Sequence, residues 1–248
     1  MIRLDKYLAD AGIGTRSEVK KYIRKGQVSV NGVLEKCPER KVLADVDCIS
    51  WSDQQIGSAT YAYYMFYKPA GCISATTDTR HKTVMDYLSG VAGKNLFPVG
   101  RLDIDTEGLL LITNDGALAH ELLSPVKHVK KTYYAIIDGI VDETHVQQFK
   151  EGVDIGEGKC TKPADLKILA MPHDGYKRSL EENVRQTEIE LSITEGKFHQ
   201  VKRMFQAVAM HVTYLRRNSM GSLQLDETLK PGEFRELTKE EVAGLKNP

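Results

Sequence analysis

The chain has 248 residues, 41% apolar and 27% charged, with 34 basic residues against 34 acidic ones. That length suits one large domain or two unequal ones with a true core, and no apolar run approaches the roughly 20 residues that span a bilayer. The opening MIRLDKYLADAG is charged from its third residue, unlike a secretory signal, and the four cysteines form no C-x-x-C pair, which argues against zinc and a disulfide framework and for reduced thiols in a cytoplasmic protein.

Zero net charge leaves nucleic acid open as a partner, because clustering matters more than the total. Residues 1 to 30 hold seven Lys or Arg against three acids. Leu4 and Leu8 lie four apart, as on one face of a short helix, and Gly12 and Gly14 end it. Thr15 and Glu18 form a capping-box signature. The helix after it buries Val19 and Ile23 and shows Lys20, Lys21, Arg24 and Lys25 to solvent, with Arg16 at its start. Val28 and Val30 alternate before Asn31-Gly32, a hairpin signal. A unit this small cannot hold an active-site cleft, so its basic helix face reads as an RNA-binding surface. The stretch RLDKYLADAGIGTRSEVKKYIRKGQVSVNG resembles the RNA-binding module named after ribosomal protein S-four. That resemblance implies RNA contact without chemistry, and a module over residues 1–57.

Residues 52–60, SDQQIGSAT, read as a polar linker, and a second domain is expected over 61–248. YAYYMFY reads as a strand closed by the turn KPAG, KTVMDYLSG as a short helix, and GLLLIT as a buried strand. ALAHELLS is a helix, KKTYYAIIDG a strand, and DETHVQQFKEG a helix with an acidic cap. RQTEIELSIT alternates as a strand, GKFHQVKRMFQAVAM is an amphipathic helix, VTYLRRNSMGSLQLD returns as strands, and LTKEEVAGL is a last helix. Strands and helices are interspersed without strict alternation. The expected fold is α+β: a small N-terminal module, then a larger domain on a mixed or antiparallel sheet with flanking helices.

The segment FPVGRLDIDTEGLLLITNDG sets Asp103, Asp105 and Glu107 two apart behind Arg101. It allows three readings. A calcium loop fails because Asn114 stands where a bidentate Glu is required and no helices flank it. A capped turn without chemistry and a catalytic loop at a cleft mouth remain.

PVGRLDIDTEGLLLITNDGALAHELLSP, with KKTYYA and EGKFHQVKRMFQAV, closely resembles the pseudouridine synthases that modify ribosomal RNA, most of all their small-subunit (16S) branch. The resemblance favours the catalytic reading. It implies isomerisation of a uridine to pseudouridine with no metal and no organic cofactor, and with Asp103 as nucleophile at either the ribose anomeric carbon or ring carbon 6. Asp105 and Glu107 are expected to brace the loop through backbone amides. Burial alone favours a neutral acid, so a cation is needed beside Asp103. The resemblance places a basic residue of the HQ-x-K/R helix there: Lys202, with Arg203 about 100° away and left to phosphate contact. It gives Tyr133 of KTY the stacking role, with Tyr134 on the opposite strand face. Arg101 would fill the gap left by a flipped-out nucleotide; its alternative is a salt bridge to Asp105 or Glu107. Lys127, His128, Lys130, Lys131, Arg216 and Arg217 are expected on phosphates. The expected partner is ribosomal RNA, 16S or a small-subunit assembly intermediate, met by a monomer away from any membrane. Large-subunit RNA and a non-catalytic assembly factor are the rivals.

Overall fold

The computed structural model describes residues 1–44, 46–57, 61–91, 95–174 and 185–246. The chain divides into two compact units, Met1–Ala62 with Val91–Leu96 and Thr113–Gly116, and Tyr63–Gly90 with Phe97–Ile112 and Ala117–Pro248.

In the first unit β1 (Ile2–Arg3) leads into α1 (Leu4–Asp10), and α2 (Arg16–Arg24) follows. Both halves of the expected capping box form: the Glu18 amide donates to Thr15 Oγ1, and the Thr15 amide donates to Glu18 Oε2 at 2.8 Å. The hairpin β2 (Val28–Val30) and β3 (Val33–Glu35) turns through Asn31 and Gly32 at φ 53° and 78°, as a two-residue turn between twisted strands requires. β4 (Lys41–Val42) pairs with β1, and β5 (Ile49–Trp51) joins β2. Leu4, Leu8, Val19, Ile23, Val28 and Ile49 make the core under this sheet.

The linker expectation fails over its first half. Gln54–Ile56 is a strand, β6, paired with β5 through a turn at Ser52 and Asp53, both with positive φ. Neither residue is glycine or asparagine, so the hairpin carried no strong local signal. Residues 58–60 of that stretch lie outside the described residues.

Among the described residues, the second unit is built on a nine-stranded mixed sheet. Its elements are β7 (Tyr63–Lys68), a 3₁₀ turn at Val84–Tyr87, β8 (Phe97–Pro98), β9 (Glu107–Thr113), α3 (Gly116–Leu123), β10 (Lys131–Asp138) and α4 (Glu143–Glu151). Then come β11 (Asp165–Asp174), β12 (Arg185–Ile193), α5 (Gln200–Ala207), β13 (His211–Met220), β14 (Leu223–Gln224), β15 (Phe234–Glu236) and α6 (Lys239–Lys246). The strand order is β11-β12-β10-β13-β9-β7-β15. β12, β10 and β13 run antiparallel in turn, and β13 meets β9 in parallel. The α+β expectation holds. β7 is buried along its whole length, which explains its unbroken apolar run. β11 escaped the sequence reading because it carries Pro172, and it is an edge strand, where proline is tolerated.

Candidate active site

The acidic loop is held by backbone and buried side chains before any acid acts. Phe97–Pro98 enters through Gly100 at φ 80°, and the Thr106 amide closes a turn on the Asp103 carbonyl at 3.1 Å. Ser74 Oγ both donates to the Leu102 carbonyl and accepts from the Leu102 amide, each at 3.0 Å. Lys68 is fully buried, and its ammonium donates to the carbonyls of Thr106 at 2.8 Å, Pro69 at 3.0 Å and Ile104 at 3.4 Å. One lysine thus gathers the backbone on both sides of Asp105. Gly108 has φ 101°, and a Cβ there would sit 2.3 Å from the Arg217 carbonyl oxygen. Glycine is what lets β9 lie against β13 at this point, with Gly108 opposite Arg217.

Above the loop stands α5. The expected helix began near Gly196, but the observed one starts at Gln200, because His199 takes a left-handed turn at φ 49°. That turn carries His199 Nε2 to 3.4 Å from Asp103 Oδ1. Lys202, one turn into the helix, sets its Nζ 3.4 Å from Asp103 Oδ2 and 2.5 Å from Asp105 Oδ1. Asp103 is about one-quarter exposed. Burial pushes the Asp105 carboxyl up, and the Lys202 hydrogen bond and charge outweigh it, holding the group below its usual range.

Arg203 points elsewhere, as the helix period requires. Its guanidinium donates to Glu157 Oε1 at 2.7 Å and to the carbonyls of Ile155 at 2.5 Å and Phe198 at 3.2 Å. It ties the 155–157 loop to the helix rather than standing free. Asp105 and Glu107 also differ from expectation: Asp105 takes Lys202, and Glu107 accepts from the Tyr214 hydroxyl at 2.9 Å. Arg101 is exposed and pairs with neither acid among the described residues.

β10 and β13 form the cavity floor. Tyr133 is buried and lies opposite Arg217 in the strand register, and Lys131 sits two residues earlier on the same face. Tyr134 faces away, its ring 5.4 Å from the Arg216 guanidinium; burial and Glu188 push its phenol up to about 12. The cavity holds about 570 Å³, a size suited to one nucleoside-sized ligand, and its lining includes Asp103, Tyr133, His199 and Lys202.

Two residues expected on phosphates, Lys131 and Arg217, are instead buried in this floor. Arg216 donates to Asn218 Oδ1 at 2.9 Å, and His128 lies 3.0 Å from Lys162 Nζ, while Lys127 and Lys130 are exposed. In the first unit, Arg16 and Lys20 turn toward the buried Asp5 carboxylate, at 3.4 and 3.7 Å, with Arg3 at 2.9 Å. Lys21, Arg24 and Lys25 are exposed.

Comparison with known proteins decides the family. Residues 62–207 match the profile described as RNA pseudouridylate synthase, and residues 2–46 match the S4 domain. The chain belongs to the RNA pseudouridylate synthase family. An uncharacterized RNA pseudouridine synthase of Bacillus subtilis is 43% identical over all of this chain and 99% of its own length. The ribosomal small subunit pseudouridine synthase A of Vibrio cholerae is 38% identical over 98% of this chain and 99% of its own length. That of Escherichia coli is 36% identical over 98% and 100%. A crystal structure of a pseudouridylate synthase superposes with a TM-score of 0.68 at 34% identity, covering 99% of this chain and 100% of that one. The protein is therefore an RNA pseudouridine synthase, an isomerase with an N-terminal S4 RNA-binding domain. Lys68, Ser74 and His199 are the site residues that the sequence reading passed over. KPAG looked like a turn, and a lysine at a strand end gives no sign that it is buried.

Proposed function

We propose that this synthase isomerises a uridine of small-subunit (16S) ribosomal RNA, with Asp103 as nucleophile on a flipped-out base. The observation that carries the reading is the Asp103 carboxylate, 3.4 Å from Lys202 Nζ, in one cavity with the buried Tyr133. The reaction breaks the bond from the ribose anomeric carbon to uracil N1 and joins that carbon to ring carbon 5. The proton on carbon 5 leaves, N1 gains one, and nothing is lost overall. A carboxylate suffices as covalent catalyst, adding to the anomeric carbon or to ring carbon 6.

In this reading Lys202 aims Asp103, and Tyr133 stacks on the base. Arg101, exposed and free of the neighbouring acids, fills the vacated place in the RNA stack. Residues 1–57 grip the RNA through Arg16, Lys20, Lys21, Arg24 and Lys25, and residues 61–248 do the chemistry without metal or cofactor. Arg203 reaches a phosphate only by leaving Glu157, so its first duty is to hold the 155–157 loop. The enzyme acts as a cytoplasmic monomer. The 16S target rests on relatives that are 36–38% identical over nearly their whole length and are named for the small subunit.

The test is to map pseudouridines in ribosomal RNA from cells lacking the protein, and to repeat the modification with pure enzyme on 16S and 23S RNA. Loss of one 16S pseudouridine, restored by the enzyme, is the expected result. Loss confined to 23S RNA moves the target to the large subunit. Unchanged RNA in both removes the ribosomal assignment.

A further inference from the structure

We propose that Lys131 and Arg217 form a cationic floor that binds the carbonyl oxygens of the target uracil and carries the negative charge the ring acquires when its glycosidic bond breaks. The proposal rests on the reading that the Asp103 cavity receives the base.

Both side chains line that cavity and are more than nine-tenths buried, at 8% and 3% exposure. Neither has a carboxylate partner among the described residues. Lys131 Nζ donates to one group, the Val129 carbonyl at 2.9 Å, which leaves donor capacity on its ammonium. Arg217 Nε donates to the Leu109 carbonyl at 2.8 Å, while its Nη2 is buried and unpartnered. Thr106 Oγ1, also in the lining, is buried and equally without a partner. A buried donor without an acceptor costs about 1–3 kcal/mol, and more for a charged one. The Arg217 Nη2 left this way, beside a Lys131 ammonium with donors to spare, implies an acceptor that arrives with the substrate. Burial, with Arg217 adding its repulsion, pulls the Lys131 ammonium down to about 8. That direction fits a cation with no carboxylate beside it among the described residues.

The reaction supplies the acceptor. Departure of N1 leaves its electron pair on the ring, delocalised onto the oxygens at carbons 2 and 4. Addition of Asp103 to ring carbon 6 likewise pushes electrons toward the oxygen at carbon 4. On either route the charge collects on uracil oxygens and stays there until carbon 5 bonds to the ribose. Fixed donors in a dry pocket stabilise such charge best. Phosphates fit this floor poorly, because the RNA backbone must run on outside the cavity and only the extruded base can reach groups this deep. The register brings the parts together: Arg217 lies opposite Tyr133, and Gly108 lets the acidic loop lie against the Arg217 backbone.

The experiment pairs turnover with a charge-sensitive ligand. Wild type, Lys131→Met, Lys131→Arg and Asp103→Asn are compared for melting temperature, for tritium release from 16S RNA labelled at uridine carbon 5, and for binding of 5-nitrouracil. This free base ionises at mildly acidic pH with a change in absorbance. Lys131→Met should lower kcat by about 10²-fold with little change in KM for RNA, and Lys131→Arg should recover part of it. Bound to wild type or to Asp103→Asn, 5-nitrouracil should ionise at lower pH than in solution, and Lys131→Met should abolish most of that shift. A merely structural lysine would change melting temperature and leave the ligand's ionisation alone. No acidward shift with wild type overturns the proposal even where Lys131→Met fails to fold; so does an equal shift in a folded Lys131→Met. Retained turnover in Asp103→Asn would instead sink the reading of the site itself.

Discussion

Lys202 reaches two carboxylates at once, Asp103 at 3.4 Å and Asp105 at 2.5 Å. A cation placed so makes the charged loop tolerable in a half-buried setting. Lys202→Met should therefore slow turnover and move the acid limb of the pH–rate profile to higher pH, because the Asp105 carboxyl that Lys202 holds down takes up a proton more readily without it. The matching change at Arg203 should leave that limb in place and loosen the 155–157 loop, since its partners are Glu157 and Ile155. A shift seen with Arg203→Met and not with Lys202→Met would reverse these roles. Asp5 plays a comparable part in the S4 domain. Burial pushes its carboxyl up, but the Arg3 hydrogen bond and the Arg16 charge outweigh that and hold it below its ordinary value. A depressed carboxyl stabilises the fold above its unfolded pKa, and this is lost as pH falls through the folded one. Asp5→Asn should cost about 2 kcal/mol near neutral pH and flatten the acid end of the domain's stability profile. Equal melting of both proteins at pH 7 would count against it.

The elements differ in how far the sequence announced them. The α2 cap, the Asn31-Gly32 hairpin and the buried GLLLIT strand were legible because local chemistry and burial agree there. The α5 start was not, because His199 leaves the helix for a left-handed turn that sets its ring toward Asp103, a residue distant in sequence. Asp103, Tyr133 and Lys202 could be singled out by motif, whereas Lys68 and Arg217 could not. Their burial is set by strands distant in sequence, and a single sequence shows no such contact. Gly108 tests the element scale directly. Its Cβ position meets Arg217 backbone at 2.3 Å, and its φ is 101°. Gly108→Ala should force β9 from β13, destabilise the domain by about 1–3 kcal/mol and displace the loop. A variant with wild-type melting and turnover would show that the strands do not need this close approach.

At the scale of the molecule, the candidate site and the exposed basic helix face fall on different units. Every described residue near Asp103 belongs to the second unit, while Lys21, Arg24 and Lys25 stand exposed on the first. Each phosphate contact releases counterions, so losing one flattens the salt dependence of binding by about 0.7–0.9 in log–log slope. Replacing all three with alanine should weaken RNA binding and reduce the slope by about 2–3. Turnover at saturating RNA should change little, because no reacting atom is touched. An unchanged slope would mean that this helix face does not meet the RNA. Two attachment points also fix where the second unit lands, so the triple variant should lose part of its target selectivity.

The most direct test of the account is tritium release by Asp103→Asn on carbon-5-labelled 16S RNA, read beside its affinity for the same RNA. Asparagine keeps the size and shape of the side chain and removes the carboxylate proposed as nucleophile. The account predicts a fall in turnover of about 10⁴-fold or more with affinity nearly unchanged. A folded Asp103→Asn enzyme that keeps even about a tenth of the wild-type rate would contradict it.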